Sequence, residues 1–163
     1  MARRDRPLPG LGLVLIRLVT GATLMSRGWS WIAEGLPGGR SVERFVREAR
    51  GRIPDLLAWW GDHVLLVNPD AIAFLVRWVA LLSGLCLVLG ALTRPAGWIA
   101  VFFLTHAYVY GPESQELVFL LLLVSCLACA LSRAGRRAGL DRMFDEHFPA
   151  WVTWSRSSGS FLS

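Results

Sequence analysis

Residues 11–21 read LGLVLIRLVTG, an apolar helical run with a guanidinium near its middle. Leucine, isoleucine and valine occupy most positions, which leaves little room for a solvated helix face and suits the start of a membrane span. Arg17 is the discordant residue, because a charge at the centre of a bilayer costs about 3 kcal/mol even on insertion scales. It is tolerated where it faces other helices or water. The glycines decide between lipid and protein. Gly10, Arg17, Gly21 and Gly28 follow one another at intervals of seven, four and seven residues, a single helical stripe. Small residues mark the face on which membrane helices approach one another. Arg17 is therefore expected to point into a helix bundle.

The rest of the chain has the same character. Its 163 residues are enough for one domain, 54% of them are hydrophobic, and the mean hydropathy is +0.47. Eight tryptophans fit a chain that meets a membrane interface. All seventeen basic residues are arginine and the net charge is +5, but they alternate with apolar runs instead of forming one patch, so nucleic acid is not expected as a partner. The basic start and first apolar run lack a small-residue cleavage site and continue through Arg17 and Arg27, which reads as a retained helix. Cys86, Cys126 and Cys129 all lie within apolar runs, with no His/Cys spacing for a metal. Cys126 and Cys129 stand one turn apart in the later half of their helix, away from the N-terminal dipole that activates thiols, and read as packing residues. The chain has no phosphate loop, no pair of catalytic acids and no Ser/His/Asp arrangement, hence no self-contained active site.

Four spans are expected, over about 8–32, 69–92, 95–110 and 114–132, forming an all-α, integral membrane, antiparallel four-helix bundle in residues 1–145. Asn68 and Pro69 suit the start of the second span, and Pro95 disfavours helix at Arg94, which makes LTRP (92–95) a tight turn. Arg3, Arg4, Arg6, Arg94, Arg133, Arg136, Arg137 and Arg142 all fall on one side of these spans. The positive-inside rule assigns that side, and both termini, to the cytoplasm of a bacterial or archaeal cell. In the long first loop (38–68), Val42, Phe45, Val46 and Ala49 recur at helical spacing among Arg44, Arg47 and Arg50. That amphipathic helix is either an interfacial lid or a cap over the helix ends, with Trp59 and Trp60 as interfacial anchors. The tail, residues 146–163, carries Trp151, Trp154 and Phe161, which suit a membrane or protein surface.

Inward stripes are expected at Ala73, Arg77, Ala80, Gly84 and Ala91 on the second span and at Ser125, Ala128, Cys129 and Ser132 on the fourth. Arg17, Arg77 and His106 are the candidate pocket residues. Arg17 is either a contact for an anion, quinone or substrate, or a structural arginine bonded to carbonyls or an acid. His106 stands among Phe102, Phe103 and Tyr110, about one turn from the outer end of its span. Such a histidine either serves a bound metal macrocycle or a quinone carbonyl, or is an ordinary interfacial side chain. His63 and His147 lie outside the spans, which argues against a bis-histidine haem.

Three stretches carry a resemblance: LIRLVTGATLMSRGW (15–29), SGLCLVLGALTRPAG (83–97) and RAGRRAGLDRMF (133–144). In order and spacing they resemble the DoxX/DoxD family of small four-helix membrane proteins, over roughly residues 10–145. Arg17, Gly21, Gly28, Gly84, Gly90, Arg94 and Asp141 match positions that the family pattern favours. The resemblance implies a membrane subunit of a redox complex, linked to thiosulfate oxidation and the quinone pool, with other membrane or peripheral subunits and lipid as partners. No intrinsic cofactor is implied, although quinone or lipid could bind. Ala80 stands where the family pattern favours a glutamate, and Trp29, Ser30 and Trp31 follow Gly28 where it favours a lysine. If that glutamate pairs with the first-span arginine in other members, Arg17 must find a different partner. The alternative is a non-catalytic accessory subunit of a respiratory or photosynthetic assembly.

Overall fold

The computed structural model describes residues 11–35 and 37–131, and among them there is helix and no strand. The N-terminal arginines, Gly10, the segment from Ser132 onward, Asp141 and the aromatic tail with Trp151 and Trp154 lie outside the described residues. The elements are α1 (Leu11–Glu34), α2 (Gly39–Ala49), α3 (Asp55–Trp60), α4 (Pro69–Leu89), α5 (Thr93–Tyr110) and α6 (Glu116–Leu131). A wider turn, Gly61–Leu65, extends α3, and a short 3₁₀ turn, Glu113–Gln115, leads into α6.

Local chemistry accounts for most boundaries. Asn68 Oδ1 accepts the Ala71 N–H at 3.2 Å and Pro69 opens α4 where no N–H is needed. At the other end Gly90 turns left-handed (φ +66°), and the Ala91 and Gly90 N–H groups donate to the carbonyls of Cys86 and Leu87. α4 thus stops three residues before the expected boundary. Leu92, also at positive φ (+51°), enters α5 at once. Arg94 was expected outside the helix, but α5 begins at Thr93 and includes it. Pro95 is the third helical residue, still within the first turn, where its missing N–H breaks no intrahelical bond.

Contacts made by the glycines set the packing. A Cβ on Gly84 would lie 2.4 Å from the Met25 nitrogen, and one on Gly28 would lie 2.5 Å from the Leu81 nitrogen. The α1 and α4 backbones are therefore in direct, antiparallel contact through Gly21, Gly28 and Gly84. α5 and α6 run antiparallel in the same manner, with Gly97 against Ala130 near one end and Gly111 against Phe119 near the other. The core draws on all four long helices: Leu24, Leu87, Ala100, Leu104, Phe119, Leu122, Cys126 and Cys129. On α6 the buried side is Phe119, Leu122, Cys126, Cys129 and Ala130, so Cys129 lies inside as expected while Ser125 and Ala128 are only half-buried.

Large side chains turn outward instead. Leu15, Val19, Trp29, Phe74, Leu82, Ile99, Phe102, Leu117 and Leu121 are all exposed. Among the described residues two helices are long and apolar enough to cross a membrane, Pro69–Leu89 (mean hydropathy 2.3) and Glu113–Leu131 (2.1), and only 22% and 28% of these windows are buried. A core helix of a water-soluble domain would be mostly buried. α1 and α5 fall short of the same measure; α1 carries Arg17 and Arg27, and α5 carries Arg94, Thr105 and His106.

α2 turns Val46 and Ala49 into a second apolar cluster with Leu65 and Tyr110, and so lies as a cap against the ends of α4 and α5. Around this cap Asp70 Oδ1 accepts the Gly39 N–H at 3.1 Å, Arg50 pairs with Asp62, and Arg52 pairs with Glu113 at 3.2 Å and donates to the Gly111 carbonyl. The Tyr110 hydroxyl donates to the Leu57 carbonyl at 2.7 Å, fastening α3 to the end of α5. Tyr110→Phe removes this bond and leaves the Leu57 carbonyl the Gly61 N–H alone, which costs about 1 kcal/mol. The loss should concentrate locally, as faster hydrogen exchange in residues 55–65 with little change in α4 or α6.

Candidate functional site

Two cavities lie toward the end of the molecule covered by α2 and α3. The first is an outer groove of about 230 Å³ between α3 and α5, lined by Leu57, Trp60, Thr105, His106, Val109 and Tyr110. Its polar atoms are mostly committed. The Thr105 hydroxyl donates to the Val101 carbonyl at 2.8 Å and the Tyr110 hydroxyl to Leu57. His106 Nδ1 lies 2.8 Å from the Phe102 carbonyl oxygen. Because that oxygen can only accept, Nδ1 carries the proton, and in the neutral ring Nε2 holds a lone pair. Phe102 (4.5 Å between ring centroids), Tyr110 (6.3 Å) and Trp60 (6.4 Å) surround the imidazole. The groove thus offers aromatic walls and one good acceptor, which suits a ring bearing a hydroxyl group.

The second cavity, about 40 Å³, lies inside the helix packing between α1, α4, α5 and α6, with Arg27 as its one charged lining residue. Arg27 Nη1 donates to Gln115 Oε1 at 3.2 Å. Sequence reasoning used Arg27 only as evidence against cleavage and missed both partners. The available signal was a second arginine in the same helix as Arg17.

The three expected pocket residues do not meet in either of these two cavities. His106 lines the groove, while Arg17 and Arg77 line neither space. Arg17 is 2% exposed within the packed helices, close enough to Cys129 on α6 for its charge to act on that thiol. Arg77 is half-buried, and its Nε donates back to the Ala73 carbonyl of its own helix at 3.2 Å. Gly21, Gly28 and Gly84 form the α1–α4 contact, Gly90 ends α4, and Arg94 lies in the first turn of α5. Trp59 is exposed and stacks on His63 at 4.7 Å; Trp60 is exposed beside the groove.

Glycine-packed helices that turn their large apolar side chains outward define a helical membrane protein. Residues 12–112 match the DoxX family, and the chain belongs to it. The match takes in α1 to α5, with the glycine contact and the Gly90–Pro95 turn, and ends before α6. No curated protein and no solved structure matches the chain.

Proposed function

We propose that this chain is a multi-pass DoxX subunit of a redox complex in a bacterial or archaeal cytoplasmic membrane, an antiparallel four-helix bundle with both termini cytoplasmic. In this reading it presents the His106 groove to the quinone pool, and a partner subunit carries the oxidation of thiosulfate or another sulfur donor. The observation that carries it is the contact of His106 Nδ1 with the Phe102 carbonyl oxygen, which turns Nε2 to the aromatic groove as the nitrogen left for a ligand. Binding pockets for whole small molecules run from about 300 Å³ upward, so a groove of about 230 Å³ suits a ring head group whose tail stays in lipid. An accepting Nε2 pairs with the reduced quinone, because its hydroxyl donates and an oxidised carbonyl cannot.

Binding of decylubiquinol to the nanodisc-embedded protein, followed by tryptophan quenching, tests this. His106→Leu is expected to weaken saturable binding about fivefold to tenfold, the worth of one hydrogen bond. Equal affinity in wild type and variant would overturn the assignment. A second reading, a non-catalytic accessory subunit, is favoured by Ala80. It lines the inner cavity where the family pattern favours a glutamate, and no carboxylate takes that place. Stoichiometric co-purification with a larger assembly that keeps full activity in His106→Leu would select this second reading.

A further inference from the structure

The groove beside His106 has one fixed wall and one loosely held wall. Thr105, His106, Val109 and Tyr110 belong to α5, whose backbone is packed against α6 at both ends. The facing wall, Leu57 and Trp60, belongs to α3, and none of the six residues of α3 is buried. The chain on either side is anchored, because Ala49 before it and Gly61 and Leu65 after it are buried. Apart from the wide turn that continues it, α3 makes only scattered close approaches to other helices, whereas α2 lies against both α4 and α5. The chain leading into α3 is unconfined: a Cβ on Gly51 would meet nothing within 4 Å.

α3 is held to α5 by the Tyr110 hydroxyl, which donates to the Leu57 carbonyl at 2.7 Å, and by the Trp60 ring, 6.4 Å from the imidazole of His106. The Arg50–Asp62 pair beside it is exposed, and water screens such pairs until they contribute little. A short helix with no buried side chain and one polar tie to its neighbour opens locally while the rest of the fold stays closed. We propose that α3 is a lid on the His106 groove, latched by the Tyr110 hydroxyl, which swings off α5 to admit a ring-headed lipid from the bilayer side. The surroundings of the gap set the direction. On α3, Leu56 is 76% exposed and Trp59 54%; on α5, Phe102, whose ring touches His106, is 54% exposed. Apolar surface thus flanks the gap from both helices, and tryptophan settles at the membrane interface. α2 is the fixed part of this cap, with Val46 and Ala49 buried, and α3 is the moving part. The identity of the guest rests on the quinol reading of the groove; the lid rests on how α3 is held.

The test combines hydrogen exchange on the full chain in nanodiscs with stopped-flow tryptophan quenching by decylubiquinol. Without ligand, residues 55–60 are expected to exchange well ahead of residues 42–49 and 105–110, and to slow when decylubiquinol binds. Tyr110→Phe shifts the lid toward its open position by about fivefold, the worth of one hydrogen bond. Association and dissociation should both quicken by up to that factor, while affinity changes less than either rate. His106→Leu removes a ligand contact and no latch, so it should quicken dissociation alone. Exchange in α3 as slow as in α5 would overturn the lid, and so would a Tyr110→Phe variant with faster dissociation and unchanged association. Fast exchange in α3 that decylubiquinol does not slow would uphold the lid and overturn the quinol reading instead.

Discussion

Gly84→Ala is expected to lower the melting temperature by about 10 °C and to loosen α1 from α4. The added methyl would meet the Met25 nitrogen at 2.4 Å, the Gly21 carbonyl oxygen at 2.7 Å and the Met25 Cα at 2.8 Å. All three are backbone atoms, so no side chain can rotate away and the helices themselves must separate. Overpacking costs about 1–3 kcal/mol where side chains can adjust, and this position belongs at the top of that range. At about 2–4 °C per kcal/mol for a chain of this size, 3 kcal/mol corresponds to a shift of about 6–12 °C. Gly12 supplies the control, because a Cβ there meets nothing within 4 Å. Gly12→Ala should melt at or slightly above the wild-type temperature, since alanine is the better helix former. Thermal unfolding of the three proteins in one detergent decides the matter. Equal melting of Gly84→Ala and Gly12→Ala would contradict the close α1–α4 approach.

Arg17→Ala is expected to cost about 3–5 kcal/mol. The side chain is 2% exposed, and its removal strands the groups that meet it and opens a void among rigid helices. Arg17→Lys should recover part of the loss, because it restores the charge without the planar fork of donors. Arg77→Ala gives the contrast. That guanidinium is half-buried and bonds to its own helix backbone, so its removal should cost under about 1 kcal/mol. Because Arg17 does not line the His106 groove, quinol affinity should stay unchanged in whatever fraction of Arg17→Ala remains folded. A variant with wild-type melting and lost ligand binding would instead make Arg17 a ligand contact.

The expectations drawn from local chemistry fared differently from those that depended on which way a helix faces. Asn68 and Pro69 announce the start of α4, and Gly90 its end, because capping is decided within a few residues. Arg94 shows the limit even there. Proline disfavours helix before it, yet the first turn of a helix accepts both residues. The glycine stripe on α1 marked a face of close helix approach, because glycine lets two backbones meet, and the structure places α4 there. α2 was ambiguous for the opposite reason. An amphipathic face suits lipid head groups or a protein cluster equally well, and only the packed structure brings Val46 and Ala49 against Leu65 and Tyr110.

Helix extents, the outward apolar surface and family membership were thus written in the order of the residues. Each depends on near neighbours or on composition. The grouping of Arg27 with Gln115, the separation of Arg17 from His106, and the burial of Cys126 in place of Ser125 and Ala128 required the packed helices. The physical reason is lipid. In water, an apolar stripe must turn inward and so reports a helix's rotation. In a bilayer both faces of a helix such as α6 can be leucine-rich, so hydropathy leaves its rotation undetermined. Rotation is then set by small residues and by the register of antiparallel neighbours, and that register joins a side chain to a partner 88 positions away in the chain.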